Sequence, residues 1–404
     1  MQRVVLTGIG IVSVLGQTQE AVTASLFDGR CGIVADPIRL SHGFVSPLTG
    51  AIDGFDPSRF LGRKERKTMP DFALWAHAAC MDALSCARLE VADLANDRTG
   101  LVFGNDSCVL PSIEQAKVLQ EEGATSSMGS GHVFRCMNST ISLNLSVLFG
   151  IKGPCWTVSA ACASGAFAIA QAADQIRLGR LERVLCGGAQ ELNWQSVASF
   201  DGLGVFSTNP DPKQASRPFD RDRDGLVPSG GAAALVLEDY AIAKARKATI
   251  LAEILGIGMS CDGVSLSTPD TSGLSRALRM ALRDAQKEAR EITLISAHAT
   301  STQKGDAAEA ANIRAVFGEE CPPVTALKSL TGHELWMSGA SQLVYGVCMA
   351  QGGFVAKTEN YQEPDAQTQG IPVVTNRLPH PPGTVLHNAS GFGGTNCCLI
   401  VRYF

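Results

Sequence analysis

The sequence predicts an α/β fold built from two similar halves. Short apolar runs alternate with segments of helical spacing, an order typical of buried sheets covered by helices. The same order of elements occurs twice along the chain, which indicates an internal duplication. No low-complexity linker separates the repeats, so we expect them to pack as one body, with residues 1–245 in the first half and residues 246–404 in the second.

The predicted strands fall into two sets of five. The first half contributes residues 4–8, 100–104, 155–159, 183–188 and 230–238. The second half contributes residues 250–258, 292–297, 324–329, 383–387 and 396–401. Apolar residues at helical spacing predict a helix over 274–289, and a polar segment rich in Pro, Asp and Arg predicts a loop over 208–224.

Composition limits the class of protein. The chain has 404 residues, of which 45% are hydrophobic, and this predicts a large core. Its net charge of −5 does not favour a nucleic-acid partner. No apolar run approaches the ~20 residues of a membrane span, and the N-terminus does not resemble a signal peptide. The 13 cysteines form no C-x-x-C pair. This favours a reducing compartment, and we expect a cytoplasmic protein.

Cys162 is the strongest candidate nucleophile. It lies between a predicted strand and a helix-compatible run, in Val-Ser-Ala-Ala-Cys-Ala-Ser-Gly-Ala-Phe, residues 158–167. A sulfur near a helix N-terminus is favoured as thiolate, and the small neighbours leave room for a substrate. The alternative is a buried cysteine that acts only as a small hydrophobe.

Two histidines follow predicted strands of the second half. His298 lies in Ile-Ser-Ala-His-Ala-Thr, and His333 in Lys-Ser-Leu-Thr-Gly-His. Strand ends are where open α/β folds gather their chemistry, and neutral imidazoles can stabilise an enolate or move a proton. Each histidine could instead serve a purely structural role. A Cys-His-His zinc site is a further alternative, but no short ligand pair supports a metal.

A lysine and a glycine loop complete the candidate site. Lys328 is predicted at the end of a buried strand, where it needs a partner, and Glu309 is the best candidate. Between the last two strands, Gly-Phe-Gly-Gly at 391–394 provides a backbone that can approach a ligand closely. The N–H groups of Phe392 and Cys162 could together form an oxyanion hole. By itself, the loop could equally be a plain hairpin turn.

Together these segments resemble the β-ketoacyl-acyl-carrier-protein synthases, condensing enzymes of the thiolase fold. The resemblance runs from Val-Leu-Thr-Gly-Ile-Gly-Ile-Val at 5–12 to Gly-Phe-Gly-Gly-Thr-Asn at 391–396. It is greatest for the elongating type I and II members, which share the order found here in Cys162, His298, Lys328 and His333. The resemblance implies a thiolase-like layered fold of two duplicated halves, in which mixed sheets have helices sandwiched between and outside them.

The resemblance also implies a reaction. Cys162 would accept an acyl group from a carrier-protein thioester. His298 and His333 would stabilise the enolate formed when a malonyl thioester loses carbon dioxide, and the product would be a 3-oxoacyl chain two carbons longer. Lys328 with Glu309 would order the site. No metal or free cofactor is implied, because both substrates arrive on the phosphopantetheine arm of acyl carrier protein.

Further roles follow only from the resemblance. Thr300 and Thr302 would contact the phosphopantetheine arm, and Phe392 would act as a gate between the two substrates. Met137, in the apolar stretch 133–149, would set acyl length if that stretch lines the pocket; a plain core helix is the alternative. The expected assembly is a homodimer, or a heterodimer with a paralogue that lacks the nucleophile.

One basic cluster is a candidate docking site for the acidic carrier protein. It occupies the run Arg-Lys-Glu-Arg-Lys and consists of Arg63, Lys64, Arg66 and Lys67. Long-range attraction would steer an acidic partner toward these charges. A solvated start of a helix explains the same charges equally well.

The chain departs from the family pattern near the site. Ala299 follows the first histidine where the family has glycine, and Ser390 stands where the family tends to have phenylalanine. After His333 the family runs Ser or Leu, Leu, Gly, whereas this chain has Glu334, Leu335 and Trp336. These changes keep open a specialised polyene or polyketide synthase, a malonyl decarboxylase that does not elongate, and a thioester hydrolase.

Overall fold

The computed structural model describes residues 1–404, and a ten-stranded mixed sheet forms its centre. Its order is β10-β9-β11-β12-β8-β1-β7-β6-β4-β5, and β2 and β3 form a separate pair. The strands are β1 (Val4–Ser13), β2 (Ile33–Ala35), β3 (Leu48–Gly50), β4 (Thr99–Gly104), β5 (Cys155–Val158), β6 (Arg183–Gln190), β7 (Gly231–Asp239), β8 (Ala252–Cys261), β9 (Leu294–Ser296), β10 (Val324–Thr325), β11 (Thr384–Gly391) and β12 (Thr395–Tyr403). Every predicted strand is therefore present, and the pair β2 and β3 was not foreseen.

The two halves have the same topology. Within the large sheet, each half arranges its own five strands in the order third, second, fourth, fifth, first. In each half the second strand is parallel to the third and the fourth, and the fifth is antiparallel to its two neighbours. The first strands, β1 and β8, pair antiparallel and join the halves. This confirms two duplicated halves, while the boundary between residues 245 and 246 stays a prediction.

Helices cover the sheet and also lie between its two halves. They are α1 (Gln19–Asp28), α2 (Pro37–Ser41), α3 (Arg63–Arg66), α4 (Asp71–Ala87), α5 (Val109–Glu122), α6 (His132–Arg135), α7 (Thr140–Leu148), α8 (Ser164–Arg177), α9 (Trp194–Gly202), α10 (Tyr240–Ala245), α11 (Gly273–Asp284), α12 (Gln303–Phe317), α13 (Lys328–Thr331) and α14 (Ser338–Gly352). The largest core cluster joins α8 and α14 to strands of both halves. Helix α4 covers the outer face of the first half, and α11 and α12 cover that of the second. This layering matches the predicted thiolase-like fold.

Paired glycines bring a helix close to the first strand of each half. In β1, a Cβ on Gly8 or Gly10 would lie 2.1 or 2.0 Å from a carbonyl oxygen of α4. In β8, Gly256 and Gly258 face α11 in the same way, at 2.3 and 1.9 Å. Side chains at these positions would push the helix away. The repeated Gly-Ile-Gly is therefore a packing feature common to both halves.

Two predicted elements differ from those observed. The helix expected over 274–289 ends at Asp284, because Gln286 adopts a φ of 51° that a helix cannot continue through. The apolar stretch 133–149 forms two helices, α6 and α7, separated by a turn. No helix is both long and apolar enough to cross a bilayer. All 13 cysteines are free thiols, and the expected cytoplasmic location stays a prediction.

Candidate active site

A cleft of about 380 Å³ brings together groups from both halves. Cys162 comes from the first half, and His298, His333 and Phe392 come from the second. Other predicted site residues also line this cleft, namely Thr300, Thr302, Glu309 and Ser390. The sulfur and the two imidazoles that are far apart in sequence therefore meet in one cavity.

Cys162 occupies a tight corner between β5 and α8. Its side chain is 6% exposed, and the preceding Ala161 adopts a φ of 47°, which is costly for a residue with a Cβ. Ser164 holds this corner: its Oγ accepts a hydrogen bond from the Ala160 N–H at 2.8 Å and donates one to the Ala161 carbonyl at 2.6 Å. Strained backbone held this way is typical of a functional position.

The thiol is protonated at rest, contrary to the expected thiolate. Burial raises the pKa of Cys162 to about 12, although Lys328 and the backbone N–H groups of Cys162 and Phe392 act to lower it. The helix N-terminus also favours the thiolate, but loss of solvation outweighs it. To act as the predicted nucleophile, the thiol of Cys162 would have to lose its proton as it attacks, and the donors around the sulfur favour that loss.

The two imidazoles are buried and neutral. Their ring centroids lie 5.2 Å apart with planes at 85°. Burial and the charge of Lys328 hold the pKa of both His298 and His333 well below the usual value. The Nδ1 of His333 lies 3.2 Å from Ser338 Oγ, and no protein group bonds either Nε2. Two neutral rings with free Nε2 atoms suit the stabilisation of an enolate.

Lys328 fixes the tautomer of His298. Its Nζ lies 3.4 Å from His298 Nδ1 and also donates to the His298 carbonyl. An ammonium has only protons to offer, so Nδ1 must accept and the ring proton lies on Nε2. Burial lowers the pKa of Lys328 to about 8, while the nearby carboxylates act to raise it. Near neutral pH the lysine is therefore mostly protonated, and His298 presents an N–H to the cleft.

Lys328 and Glu309 interact through space without a direct ion pair. Lys328 begins α13 and does not end a strand, since β10 stops at Thr325. Glu309 accepts hydrogen bonds from the backbone N–H groups of His298 and Ala299, at 2.8 and 2.6 Å, and from Asn388. No ion pair within 4.0 Å joins it to Lys328. Both residues instead hold the His298 segment, and Glu309 acts on the lysine through space.

The C-terminal glycine loop packs directly against the cysteine corner. A Cβ on Gly391 would lie 2.9 Å from the Ala160 carbonyl oxygen, and Thr395 Oγ1 donates to that oxygen at 3.0 Å. The backbone N–H groups of Phe392 and Cys162 both act to lower the pKa of the Cys162 thiol. The loop is thus part of the cleft and not an isolated turn.

Other predicted residues lie at varying distances from the chemistry. Thr300 Oγ1 and Thr302 Oγ1 lie 3.0 Å apart, and Thr302 caps α12. Ser390 Oγ donates to Asn396 Oδ1 at 2.8 Å. Trp336 packs in the apolar cluster that contains Cys162, and its Nε1 donates to Ser107 Oγ at 3.2 Å, but it does not line the cleft. Its ring therefore supports the wall behind the nucleophile.

Met137 and the basic cluster both lie outside the cleft in this single chain. Met137 is 41% exposed and lines a different, open cleft beside β5 with Trp156 and Thr157, and its role in setting acyl length stays a prediction. The basic cluster forms α3 and Lys67, where Lys67 Nζ donates to Ser130 Oγ at 3.0 Å. It lies outside the cleft, as a docking surface would, and its role stays a prediction.

Sequence reasoning missed several groups of the site. Phe200 lines the cleft and stacks on Phe392, with ring centroids 5.9 Å apart and planes at 15°. Asn388 and Ser338 support Glu309 and His333. Only their closeness in sequence to the glycine loop and to His333 could have indicated Asn388 and Ser338. Phe200 carries no such signal, because its helix reaches the site only through the fold.

The fold, and a cleft that holds a cysteine and two neutral imidazoles, fit an enzyme that transfers acyl groups. Residues 1–243 match the family model "Beta-ketoacyl synthase, N-terminal domain", and residues 251–362 match "Beta-ketoacyl synthase, C-terminal domain". The chain belongs to the beta-ketoacyl synthase family, which confirms the resemblance and the class of condensing acyltransferase.

Individual relatives are similar to this protein along its whole length. The "3-oxoacyl-[acyl-carrier-protein] synthase 1" of Escherichia coli K12 is 36% identical, covering 100% of this chain and 99% of the relative. A beta-ketoacyl synthase from Burkholderia phymatum has a crystal structure with a TM-score of 0.94, 35% identity and complete coverage of both chains. The ishigamide ketosynthase/chain length factor gives a TM-score of 0.92 at 31% identity, covering 100% of this chain and 99% of that one.

Proposed function

We propose that this chain is a 3-oxoacyl-[acyl-carrier-protein] synthase, which extends an acyl chain by two carbons in fatty acid synthesis. The observation that carries the proposal is the cleft in which Cys162, two neutral imidazoles and two backbone N–H groups meet. The curated relative of the same name matches the chain along its full length. Each part of the cleft has a place in the two steps of the reaction.

The first step transfers an acyl group to Cys162. The sulfur attacks the carbonyl carbon of an acyl thioester as its proton leaves, and the oxygen gains negative charge. The N–H groups of Cys162 and Phe392 are placed to hold that oxygen. The carbon–sulfur bond to the carrier then breaks, the carrier thiolate takes up the proton, and the acyl group remains on Cys162.

The second step makes the carbon–carbon bond. A malonyl thioester loses carbon dioxide, and the electron pair of the broken bond forms an enolate whose oxygen accepts from His298 and His333. The enolate carbon attacks the acyl-Cys162 carbonyl, and the bond to sulfur breaks. The leaving thiolate of Cys162 takes a proton from water. No strong base is needed, because decarboxylation supplies the carbanion, and the sequence of steps requires no metal or free cofactor.

The carrier protein is the proposed partner. Thr300 and Thr302 line the same cleft as Cys162, which supports the proposal that their hydroxyls contact the phosphopantetheine arm. The exposed charges of Arg63, Lys64 and Lys67, with the half-buried Arg66, offer a surface for an acidic carrier. Exchanging Arg63 and Lys64 for glutamate should raise the KM for acyl carrier protein about 5- to 10-fold at low salt with kcat unchanged. An unchanged KM would reject this surface.

We also propose a homodimer formed through the β5 edge. Strand β5 ends the large sheet, its Cys155, Trp156 and Thr157 are only half-buried, and exposed apolar residues lie nearby on α6 and α7, namely Val133, Phe134 and Val147. A partner strand would cover this edge. The alternative is a heterodimer with a paralogue that lacks the nucleophile. Native mass spectrometry of the purified chain should show twice the chain mass; a monomer that dimerises only with a paralogue favours the alternative.

Product analysis tests the function. The purified chain is incubated with acyl and malonyl carrier proteins, and the carrier-bound products are measured by mass spectrometry. The 3-oxoacyl product, formed only when both substrates are present, supports the proposal. Acetyl carrier protein alone would indicate a malonyl decarboxylase, and free acid without malonyl donor would indicate a hydrolase.

A further inference from the structure

Glu334 is a buried carboxylate beside the site that the mechanism above does not use. It directly follows His333 and is 2% exposed. Its Oε2 accepts a hydrogen bond from Ser341 Oγ at 2.5 Å, and its Oε1 accepts one from Tyr345 Oη at 2.6 Å. No lysine, arginine or histidine lies within 4.0 Å of its oxygens. Because an unpaired buried carboxylate is costly, a position of this kind needs a reason.

The two donors to Glu334 belong to the helix that also holds the imidazoles. On α14, Ser338 bonds the His333 ring, and Gln342 Nε2 donates to the Ala297 carbonyl just before His298, at 2.9 Å. Ser341 and Tyr345 continue the same helix. Glu334 therefore fastens the turn after His333 to the element that supports both histidine segments.

That turn is strained. Leu335 adopts a φ of 42°, which is unfavourable for a residue with a branched side chain, and it lies between Glu334 and Trp336. Strain of this kind persists only where neighbouring bonds hold the backbone in place. The two hydrogen bonds of Glu334 anchor one side of the turn, and the Trp336 bond to Ser107 anchors the other.

Glu334 also contributes charge to the lysine of the site. The ammonium of Lys328 contacts His298, and it interacts through space with the charges of Glu309, Glu334 and Asp306, with the Cys162 thiol and with the ring of His333. After Glu309, Glu334 is the strongest of the groups that favour the protonated lysine. Burial raises the pKa of Glu334 to about 7, so at pH 8 it is mostly ionised.

We propose that Glu334 is a positioning residue of the condensing site, which anchors the His333 turn to α14 and supplies a buried negative charge to Lys328. The inference rests on the proposed function for its meaning in catalysis. The expected effect of Glu334 on the sulfur does not depend on that function, because Lys328 in turn favours the thiolate of Cys162. Removal of the charge should therefore change the reactivity of the sulfur whether or not the enzyme condenses carrier-bound acyl groups.

The test compares Glu334→Gln and Glu334→Asp with a matched control, Glu253→Gln. Glu253 is a carboxylate on β8, 4% exposed and paired with Arg3 and Arg402 far from the cleft in the fold. The readouts are the rate constant for alkylation of Cys162 by iodoacetamide at pH 8, followed by mass spectrometry, and the pH profile of malonyl decarboxylation. Thermal unfolding reports the stability of each variant.

We expect Glu334→Gln to slow alkylation about 3- to 10-fold, because Lys328 loses a proton more readily and the thiolate loses its neighbour. In the pH profile of malonyl decarboxylation, the loss of activity at high pH should occur about 1 pH unit lower, for the same reason. Glu334→Asp should recover most of the alkylation rate. Glu253→Gln should lower the Tm but leave the alkylation rate and the pH profile of decarboxylation unchanged.

The inference is overturned if Glu334→Gln alters only the Tm and matches the wild type in alkylation and in the pH profile. If Glu334→Gln does not fold, Tyr345→Phe decides, since loss of its bond disfavours the ionised carboxylate: slower alkylation supports the role and an unchanged rate rejects it. Absence of 3-oxoacyl product from the wild type overturns the proposed function alone, because alkylation still measures the effect of Glu334.

Discussion

The two halves place different chemistry at the same position of the same topology. In the first half, the third strand β5 leads through Cys162 into α8; in the second half, β10 leads through Lys328 and His333 into α14. Both central helices begin with Ser-Gly-Ala, at 164–166 and 338–340. The first corner spans only residues 159–163, whereas the second spans residues 326–337. The longer corner has room for an ammonium and an imidazole, and the shorter one sets a sulfur at a helix start.

Contact between the helices joins the two corners. A Cβ on Gly165 would lie 3.0 Å from the backbone N of Ala340, and a Cβ on Gly339 would lie 2.3 Å from the backbone N of Ala166. Each glycine therefore faces the helix start of the other half. The nucleophile and the imidazole come together because equivalent helix starts meet, and neither half alone holds a complete site.

The largest expected effect separates the corners by function. Cys162→Ala should abolish condensation, by at least about 10³-fold in kcat, because no other group can carry the acyl chain. Cys162→Gln should lose condensation equally but retain malonyl decarboxylation, since its amide imitates the acylated thiol and the second corner is intact. Product mass spectrometry and carbon dioxide release measure the two activities. Condensation by either variant would contradict the role of the first corner.

The converse change removes either the imidazole of the second corner, His333, or that of His298, which follows β9. His333→Ala and His298→Ala should each lower decarboxylation about 10²- to 10³-fold, because one donor to the enolate oxygen is lost. Acylation of Cys162 by an acyl thioester should continue, and mass spectrometry of the intact protein measures it. His380→Ala, which changes an exposed histidine outside the cleft, is the control. Equal loss of acylation and decarboxylation would show that the corners do not divide the reaction as proposed.

A smaller effect tests the contact between the corners. Gly339→Ala should destabilise the protein by about 1–3 kcal/mol, since the new methyl group must push α14 away from α8. Both half-reactions should weaken together, as the change displaces one corner from the other. Gly129→Ala is a matched control because its Cβ would meet nothing within 4 Å. Differential scanning fluorimetry measures the Tm, and assays of Cys162 acylation and malonyl decarboxylation measure the two half-reactions. A Gly339→Ala variant that matched Gly129→Ala in all three would contradict the role of this contact.

The smallest effect concerns the pH dependence of the sulfur. Because the pKa of Cys162 is raised to about 12, the thiolate fraction should grow about tenfold per pH unit near pH 7, and less steeply above pH 8, where Lys328 loses its proton and no longer favours the thiolate. Alkylation of Cys162 by iodoacetamide, followed by mass spectrometry, should show this increase. Lys328→Met should lower the rate of alkylation, since the thiolate loses a positive neighbour. A plateau below pH 9 would show that the first corner holds a thiolate at rest.

Much of the fold could be predicted from local pattern. The central strands β1 and β7 carry only buried residues, so their apolar runs are visible without any knowledge of their partners. The predicted strand at 324–329 was too long because Lys328 begins a helix, which apolar content does not reveal. The pair β2 and β3 was missed because each strand has only three residues.

The site divides in the same way. Cys162, His298 and His333 could be recognised because each follows a predicted strand beside small residues. The role of Met137 stays a prediction: its stretch reads as one apolar segment, whereas the structure divides it into two helices and places Met137 on an open cleft beside β5. Glu334 was noted only as a departure from a family pattern, since nothing in sequence shows that Ser341 and Tyr345 would bury and bond it.

By itself, the sequence determined the α/β class, the duplicated order of elements and the identity of the reacting groups, because hydrophobic period and residue type are local properties. The tertiary structure decided the partners: which carboxylate lies behind which cation, which nitrogen of His298 carries the proton, and whether Cys162 is a thiol at rest. Those properties depend on burial and on distances between groups remote in the chain. Desolvation and Coulomb energies act through space, so only the packed fold specifies them.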